Sequence, residues 1–482
     1  MRRAILKAEG AGAQLKRNRN KDSEMKELRI HPADNVVVNV ETGHKSALVD
    51  IAEGENVIKY GFPIGHATQP IKKGEHVHTH NLKTNLKEKL SYTYRPKNVE
   101  LQPVPETTIN AYVRENGDIG IRNDIWIVNT VGCVNKIAER LSALTGALSF
   151  PHPFGCSQLG DDHKTTQLIL KGLVEHPNAG GVLVLGLGCE NNNIATFREV
   201  LGEVDERRVK FLNTQDVSDE IAEGVKLIEE LKEYAAKFTR QPVPVSKLKV
   251  GLKCGGSDGF SGITANPLIG QFSDRLIAAG GSTVLTEVPE MFGAETILMD
   301  RCVDESIFDK TVSLINDFKD YYTRHNQVIY ENPSPGNKAG GITTLEEKSL
   351  GCTQKGGMAQ VVDVLTYGDK LSKNGLNLLN GPGNDMVAVT NLVAAGCHIV
   401  LFSTGRGTPL GGPVPTVKIA TNSALAEKKP EWIDFNAGPM LEGKDLANEL
   451  FAYVTAVANG EETNNEKHGY REISIFKEGV VL

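Results

Sequence analysis

The sequence of 482 residues predicts an α/β protein that begins with a small all-β module. Two patterns carry this prediction. Between residues 26 and 82, short runs of β-forming residues are separated by glycine-containing turns about every ten residues. From Ile109 onward, strand-like apolar runs alternate with longer helical runs, which is the pattern of parallel sheets with crossover helices.

The predicted elements follow in chain order. In the all-β module, strands are predicted at 36–40, 47–51, 56–60 and 76–80. In the α/β part, strands are predicted at 125–131, 181–187, 248–252, 282–287, 376–379 and 398–403, and helices at 134–144, 165–174, 218–238, 267–279 and 385–395. Since ligands bind at the carboxyl ends of parallel strands, the loops that follow these strands are the first candidates for a site.

These patterns divide the chain into five segments. They are a basic extension (1–24), the all-β module (25–82), a polar, proline-bearing linker (83–108), a middle α/β segment (109–240) and a C-terminal α/β segment (246–482). The extension lacks the apolar core of a secretory signal, and we expect it to be disordered.

Charge and composition exclude several classes of protein. The 53 Lys and Arg residues against 60 Asp and Glu give a net charge of −7, which argues against a protein dedicated to nucleic acid. No apolar run approaches about 18 residues, so we expect no membrane-spanning helix. Seven cysteines are too few, and odd in number, for a disulfide framework in so long a chain, which favours a reducing, cytoplasmic setting.

The cysteines are placed beside glycines. Five of the seven directly follow a glycine, and Cys254 directly precedes two, although only 49 of the 482 residues are glycine. The five are Cys133, Cys156, Cys189, Cys352 and Cys397. Because these Gly-Cys pairs fall largely at or near the ends of predicted strands, we interpret them as markers of a site. Cys302 has no neighbouring glycine and is interpreted as a packing residue.

A histidine motif marks the last predicted strand of the all-β module. In His76-Val77-His78-Thr79-His80, three imidazoles would share one face of a strand and reach one cation. Imidazole is a ligand suited to iron, zinc or manganese. The alternative is a solvated polar face on which only one histidine is used.

Two glycine-rich loops begin known motifs without completing them. Residues 255–259 spell Gly-x-Ser-x-Gly, but the helix that a serine-hydrolase elbow needs does not begin at the serine. Residues 186–191 begin like a dinucleotide fingerprint but carry Asn191 in place of the third glycine. We interpret the first loop as one whose amides and serine hydroxyl hold an anionic or polyhydroxy ligand.

The polar loops resemble those of the altronate/galactarate dehydratase family. The stretch from Gly43, which reads GHKSALVDIAEGENVIKYGFPIGHATQPIKKGEHVHTHN, is similar to the SAF-type β-clip module of that family. The catalytic portion of the family is similar to the segments NTVGCVN, FGCSQLGDDH, GLGCENN, CGGSDGFSGITANP, LTEVPEMFGAE, NPSPGNKAGGITTLEEKSLGCTQKGG and LFSTGRGTP. The similarity runs from about Met25 to Leu482.

The resemblance implies a hydro-lyase that converts D-altronate to 2-dehydro-3-deoxy-D-gluconate and water. It implies a divalent metal, usually ferrous iron, with manganese as the alternative. It also implies an α/β fold with a β-clip domain, a middle α/β domain used in dimerisation and a Rossmann-like C-terminal domain, and therefore a homodimer that binds a small sugar acid. The β-clip is shortened here, because few residues separate Asp34 from Gly43.

Other functions stay open at this point. Galactarate dehydration and the sulfolactate sulfo-lyase reaction are alternatives within the family. A sugar-acid-binding protein that has lost catalysis is the alternative from another class.

Dehydration of a sugar acid assigns roles to the residues in these loops. The proton next to the carboxylate is removed and the β-hydroxyl is expelled, so the site needs a base, an acid and a cation. The candidate acid–base residues are His163, Lys338 and Lys355. The candidate metal ligands are His76, His78, Cys156, Glu190 and Cys254. The candidate substrate-binding residues are Ser257, Asp258, Asn266, Asn384 and Arg406.

Overall fold

The computed structural model of the protein describes residues 27–87, 89–479 and 481–482. The predicted basic extension at 1–24 lies outside the described residues. The described residues form an α/β protein in which two small β-sheets precede two parallel sheets. None of the described helices is both long and apolar enough to span a bilayer.

The N-terminal part consists of two antiparallel sheets. Their strands are β1 (Glu27–Leu28), β2 (Val36–Asn39), β3 (Lys45–Ala47), β4 (Asn56–Lys59), β5 (Phe62–Ala67), β6 (His76–Val77) and β7 (Leu82–Lys83). One sheet has the order β1-β2-β3-β6 and the other the order β4-β5-β7. Val57, Ile64 and Val77 are completely buried between them, which gives this part a core of its own.

The predicted strand at 76–80 is wrong in its length. Strand β6 ends at Val77, and the chain turns over the next four residues. The side chain of Asn81 causes the turn, because it accepts a hydrogen bond from His78 N at 3.0 Å and donates one to His76 O at 2.9 Å. The histidines therefore do not alternate along one strand face.

A long segment leads from the N-terminal part to a third small sheet. Between residues 84 and 107, the described residues form neither helix nor strand. The chain then enters a sheet of the order β14-β8-β9, made of β8 (Thr108–Val113), β9 (Ile119–Gly120) and β14 (Arg240–Pro244).

Between β9 and β14 the chain forms a four-stranded parallel sheet of the order β11-β10-β12-β13. Its strands are β10 (Asp124–Asn129), β11 (Leu148–Ser149), β12 (Ala179–Gly186) and β13 (Val209–Asn213). Its helices are α1 (Asn135–Thr145), α2 (Gly160–Val174), α3 (Ile194–Leu201) and α4 (Glu220–Ala235). All of β12 is buried, as expected for a parallel strand covered on both faces.

The C-terminal part is built on a seven-stranded parallel sheet. Its strands are β15 (Lys249–Cys254), β16 (Ser282–Leu285), β17 (Val361–Leu365), β18 (Gly375–Leu379), β19 (Ile399–Thr404), β20 (Thr416–Ala420) and β21 (Phe435–Asn436). Its helices are α5 (Ala265–Ala278), α6 (Glu295–Met299), α7 (Glu305–Arg324), α8 (Pro335–Ala339), α9 (Leu345–Cys352), α10 (Asp385–Ala394), α11 (Ser423–Lys428), α12 (Ala447–Ala458) and α13 (Asn464–Lys467).

The strand order of this sheet, β17-β18-β16-β15-β19-β20-β21, places β15 where the order reverses. The chain passes from β15 to β16 on one side, whereas β19 lies on the other side of β15. The crevice at the carboxyl end of such a strand is the usual ligand site in open α/β sheets. Cys254 is the last residue of β15 and is placed at this crevice.

The two parallel sheets share one apolar core. Trp126 and Phe197 from the four-stranded part belong to the same buried cluster as Leu392 and Phe402 from the seven-stranded part. Helix α2 packs closely on α10, since a Cβ atom at Gly172 would come within 2.5 Å of the carbonyl oxygen of Ala394. The two sheets are therefore packed against each other.

Candidate active site

A group of buried thiol and carboxyl side chains lies at the carboxyl end of β15. The Sγ atoms of Cys254 and Cys352 are 3.4 Å apart. Each thiol also contacts Oε2 of Glu290, at 3.0 Å from Cys254 and 3.1 Å from Cys352. Within the described residues, these three form the one group of three His, Cys, Asp or Glu residues whose ligand atoms all lie within 4.8 Å of one another.

Lysine side chains surround this group. Lys355 Nζ lies 3.0 Å from Cys254 Sγ, and Lys348 Nζ lies 2.7 Å from Glu290 Oε1. Lys253, which directly precedes Cys254, forms ion pairs with Glu287 and, at 2.8 Å, with Asp385. All three lysines are buried, so their charges act at short range with little screening by water.

These charges change the acidity of the thiols. A hydrogen bond from Cys352 lowers the pKa of the Cys254 thiol to about 6, and the charge of Lys355 supports this against the effect of burial. The pKa of Cys352 is raised well above its usual value, because this thiol donates to Cys254 and is buried. Cys254 is therefore the thiolate of the pair, and a thiolate is the form that binds metal.

Lys355 stays protonated beside this thiolate. Burial alone would lower the pKa of Lys355, but the negative charge of the Cys254 thiolate, with that of the nearby carboxylate of Glu290, raises it above its usual value. The pKa of Glu290 is similarly held below its usual value, since burial is outweighed by the charge of Lys348. The group thus combines a thiolate, a carboxylate and two ammonium groups.

The donor set fits a metal ion. Two sulfurs and one carboxylate oxygen are ligands for zinc or ferrous iron, and three protein ligands leave a coordination position for a substrate. The residues of this chain that would hold the ion are Cys254, Cys352 and Glu290.

A small polar cavity lies against this group. Cys352 belongs both to this group and to the lining of the cavity. The other lining residues are Tyr60, Ser257, Asp258, Ser261, Gly262, Asn266, Ile342, Glu347, Lys348 and Gly351. The hydroxyl of Ser257 is buried without a hydrogen-bond partner. Asn266 is held in place, since its side chain donates to Gly351 O at 3.0 Å and accepts from Ser403 Oγ at 2.5 Å.

The N-terminal part closes one side of the cavity. Tyr60 is at the tip of the β4–β5 hairpin with φ of 60°, and Gly61 follows with φ of 80°. Lys45 and Lys59 each place Nζ 2.8 Å from the carboxylate of Glu347 on α9, and all three side chains are at most 1% exposed. This buried ion triad fixes the hairpin on the C-terminal part.

Five of the sequence-predicted residues lie together here. Cys254 and Lys355 belong to the thiol group, and Ser257, Asp258 and Asn266 line the cavity beside it. The carboxylate of Asp258 is already occupied, because it accepts hydrogen bonds from residues that include Thr421 Oγ1 at 2.9 Å.

Two further predicted substrate residues lie on neighbouring loops. Asn384 caps α10 by accepting a hydrogen bond from Val387 N at 3.1 Å. Its neighbour Asp385 is the ion-pair partner of Lys253. Arg406 is exposed and lies beside Gly256, where a Cβ atom would be 3.2 Å from the Arg406 Cβ.

The predicted histidines form a separate group on the N-terminal part. The rings of His76 and His78 are stacked, with centroids 5.5 Å apart, and His44 Nδ1 lies 3.1 Å from His76 Nε2. His78 Nε2 lies 2.9 Å from the carbonyl oxygen of Lys338, so this group faces the loop that carries Lys338.

The remaining predicted residues lie at the carboxyl edge of the four-stranded sheet. Glu190 is buried and accepts hydrogen bonds from Thr130 Oγ1 at 2.6 Å and Gly188 N at 2.6 Å. Cys156 is exposed in a loop, and His163 lies in the first turn of α2. Among the described residues, no side-chain hydrogen bond joins these three to the Cys254 group.

Sequence reasoning missed several residues of the site. Glu287 and Glu290 follow β16 directly, and Cys352 ends α9. A signal for the two glutamates existed, because acids that follow a buried strand are placed at the carboxyl edge of the sheet. No comparable signal existed for Tyr60, which reaches the cavity only through the docking of the N-terminal part.

Comparison with known proteins agrees with this architecture. The family model described as "Altronate/galactarate dehydratase SAF domain" matches residues 38–85. "D-galactarate dehydratase/Altronate hydrolase, second domain" matches residues 111–236, and "D-galactarate/Altronate dehydratase, C-terminal" matches residues 245–481.

Curated relatives match over nearly their full length. The altronate dehydratase of Bacillus subtilis (strain 168) is 56% identical, over 92% of this chain and 93% of the relative. The altronate dehydratase of Escherichia coli (strain K12) is 53% identical, over 95% and 100%. The galactarate dehydratase (L-threo-forming) of the same strain is 30% identical, over 94% and 97%. The chain therefore belongs to the altronate/galactarate dehydratase family.

Proposed function

We propose that this protein is a hydro-lyase that removes water from D-altronate and forms 2-dehydro-3-deoxy-D-gluconate. The observation that carries the proposal is the buried group of Cys254, Cys352, Glu290 and Lys355, with the polar side chains of Ser257 and Asn266 beside it. It supplies groups for binding a polyhydroxy acid next to positive charge. The relatives of that activity are also far more similar to this chain than the galactarate dehydratase is.

We propose a ferrous ion, with manganese as the alternative, held by Cys254, Cys352 and Glu290. The ion supplies positive charge that stabilises the enediolate formed when the proton at C2 leaves. Thiolate and carboxylate ligands fit ferrous iron. His76, His78, Cys156 and Glu190 stay predictions as metal ligands, because they lie in two other groups of residues.

Lys355 is the predicted acid–base residue that lies in this site. Because its pKa is raised, Lys355 stays an ammonium group at neutral pH and is suited to stabilise the negative charge that develops on the departing C3 oxygen. Lys348 adds positive charge for the substrate carboxylate at the cavity wall. His163 and Lys338 stay predictions for the base that takes the C2 proton.

Ser257 and Asn266 are suited to bind the sugar hydroxyls. The Ser257 hydroxyl is buried and free to hydrogen-bond with a ligand, and Asn266 is fixed by two protein hydrogen bonds. An unpaired buried hydroxyl costs free energy in the empty protein, so a substrate hydroxyl that pairs with it binds more tightly. Asp258, Asn384 and Arg406 stay predictions for substrate contact.

The finer architecture and setting are also part of the proposal. We propose that the C-terminal part has a Rossmann-like fold built on the seven-stranded sheet. We also propose that the protein forms a homodimer through the middle segment and is located in the cytoplasm. The seven cysteines are all unpaired, which is consistent with a reducing compartment. A binding protein without catalysis is disfavoured by the buried charged group, which ligand binding alone does not need.

The test uses protein purified without oxygen and supplied with ferrous iron. D-altronate and galactarate are added separately, and the 2-keto acid product is measured. We expect rapid product formation from D-altronate and little from galactarate. Turnover of galactarate alone would overturn the substrate assignment, and no turnover of either acid would overturn the hydro-lyase assignment. Lys355→Met is expected to lower kcat by about 100-fold or more, whereas Lys226→Met, on an exposed helix face, is the matched control.

A further inference from the structure

Three exposed cysteines lie at the carboxyl edge of the four-stranded sheet, apart from the site described above. Cys133 follows β10, Cys156 lies between β11 and α2, and Cys189 follows β12. Strands β10 and β12 are adjacent in the sheet, with Asn129 paired to Leu185. The proposed dehydration uses none of these three thiols.

The three loops that carry these cysteines are bonded to one another. Gly132 N donates to Phe154 O at 3.0 Å, which joins the Cys133 loop to the Cys156 loop. Asn192 N donates to Gly155 O at 3.0 Å, and Ser157 N donates to the side chain of Asn191 at 2.8 Å. These bonds join the Cys156 loop to the Cys189 loop. Each cysteine therefore lies within three residues of a contact to a loop that carries another.

The glycine before each cysteine allows this close approach. A Cβ atom at Gly155 would come within 2.0 Å of Thr130 O, and one at Gly132 would come within 2.8 Å of His152 O. Gly155 and Gly188 have φ of 98° and 128°, which other residues rarely adopt. The Gly-Cys pairs seen in the sequence thus bring three thiols to one edge of one sheet.

Unpaired polar atoms are concentrated at the same edge. The side chains of Asn129 and Gln158 are buried, at 0% and 3% exposure, and each has an atom without a hydrogen-bond partner. Two half-buried side chains also hold a shielded atom without a hydrogen-bond partner, His163 Nε2 in the first turn of α2 and Asn213 Oδ1 at the end of β13. Buried polar groups are normally paired, so unpaired ones gathered in one place indicate a missing ligand.

The spacing of the three thiols is wider than a single tetrahedral ion requires. In a site with one tetrahedral ion, metal–sulfur bonds of about 2.3 Å place the sulfurs about 3.8 Å apart. Among the described residues, Cys133, Cys156 and Cys189 do not form a group with ligand atoms within 4.8 Å of one another. An iron–sulfur cluster carries its cysteine ligands on different iron atoms and so accepts a wider spacing.

We propose that Cys133, Cys156 and Cys189 bind a cubane iron–sulfur cluster through three of its four irons. Each thiol loses its proton on binding, and the fourth iron has no cysteine ligand, so it stays open to a small oxygen ligand. The Gln215 side chain donates to Cys189 Sγ at 3.5 Å, which is the kind of hydrogen bond that stabilises a cluster thiolate. Asn129 Oδ1, Gln158 Nε2 and His163 Nε2, which have no hydrogen-bond partner, lie at the same sheet edge.

The test measures cofactor content and does not depend on enzymatic activity. Full-length protein is incubated without oxygen with sulfide and equal amounts of ferrous and ferric iron, which together supply both oxidation states of a cubane cluster, then freed of excess reagent and assayed for iron, acid-labile sulfide and visible absorption. We expect the wild-type protein to show broad visible absorption and to retain one iron for each sulfide of the cluster, plus the single iron proposed at Cys254, Cys352 and Glu290. Cys133→Ala, Cys156→Ala and Cys189→Ala should each lose most of the sulfide and the absorption.

Two control variants separate this cluster from the buried thiol group. Cys302→Ala removes a buried packing cysteine and should retain all of the sulfide. Cys254→Ala should retain the sulfide as well, even where it loses dehydration activity. The proposal is overturned when the wild-type protein retains no sulfide, or when the three exposed-cysteine variants retain as much as the wild type. Thermal unfolding of each variant shows whether a loss of sulfide is a loss of fold.

Discussion

The Glu347→Gln substitution removes the negative charge between two buried ammonium groups. Glu347 lies 2.8 Å from the Nζ atoms of both Lys45 and Lys59, and it also accepts a hydrogen bond from Thr343 N. Burial alone would raise the pKa of Glu347, but the two lysines hold it at about 2 instead. The neutral amide would leave both lysines buried without a counter-charge.

The size of the effect follows from this pKa. A carboxyl whose pKa falls from 4.5 to about 2 on folding contributes about 3 kcal/mol of stability at neutral pH. Breaking a buried ion pair costs about 3–5 kcal/mol in other proteins, which agrees. Since Lys45 and Lys59 belong to the N-terminal sheets, the loss should appear as easier opening of residues 27–83.

Amide hydrogen exchange at neutral pH measures this opening. We expect exchange of residues 27–83 to become about 100-fold faster in Glu347→Gln, with the four-stranded sheet unchanged. Glu229→Gln, which removes an exposed ion pair with Lys232, should change exchange by less than about threefold. Equal exchange of residues 27–83 in Glu347→Gln and wild type would refute the role of the ion triad.

The same carboxyl predicts a pH dependence. In the unfolded chain its pKa is near 4.5, so between 4.5 and about 2 the unfolded state binds more protons than the folded state. The stabilisation by Glu347 is therefore complete above pH 4.5 and is lost as the pH falls toward 2. Glu347→Gln should lack this part of the acid sensitivity in unfolding measurements.

Three further predictions concern the cavity, the core and the thiol group. Tyr60→Phe should raise the KM for D-altronate by about tenfold, because one hydrogen bond to the substrate is lost. The control Tyr330→Phe, at an exposed position, should change the KM by less than about twofold. Equal KM values for Tyr60→Phe and the wild type would show that Tyr60 is not part of the site. Burial lowers the pKa of His176 to about 3, so the unfolded state binds the extra proton below pH 6.5. The contribution of His176 to the free energy of unfolding should therefore fall by about 1 kcal/mol between pH 6.5 and 5.5, and His176→Asn should remove that part of the pH dependence while the buried His152 and His398 keep theirs. Cys352→Ala should weaken the binding of ferrous iron by at least about tenfold in an equilibrium titration, whereas Cys302→Ala should leave it unchanged. Iron binding by Cys352→Ala that is as tight as in the wild type would contradict the ligand assignment.

Much of the parallel architecture was predictable from periodicity. The predicted strands at 181–187 and 248–252 correspond to β12 and β15 within a few residues, because strands buried on both faces are near-continuous apolar runs. Strand β13, with the sequence VKFLN, was missed because only Val209 and Leu212 are buried and Lys210 interrupts the apolar run. Its place in the sheet comes from pairing with β12 and leaves little trace in the local sequence.

The candidate site was predictable only in part. Cys254 and Ser257 share one loop after β15, so a reading of that loop finds both. Cys352 lies 98 residues further along the chain and has no spacing motif that links it to Cys254. The two thiols meet because α9 packs over the carboxyl end of β15, and such a long-range contact cannot be read from residue spacing.

The histidine motif shows the opposite error. Three histidines at alternate positions predicted one strand face, but the side chain of Asn81 bonds to the backbone of His76 and His78 and turns the chain. Side-chain bonds of this kind compete with strand pairing, and a periodicity argument does not include them. The rings of His76 and His78 are still stacked, although for a different reason than the one predicted.

The most direct test of the proposed chemistry follows D-altronate by nuclear magnetic resonance in deuterated water. Removal of the C2 proton and loss of the C3 hydroxyl leave an enol, which takes one deuteron from the solvent at C3 as it becomes the 2-keto acid. Protein purified without oxygen and supplied with ferrous iron should yield 2-dehydro-3-deoxy-D-gluconate with one deuteron at C3. Unchanged D-altronate, or a product that retains the hydrogen originally bound to C2, would contradict the account.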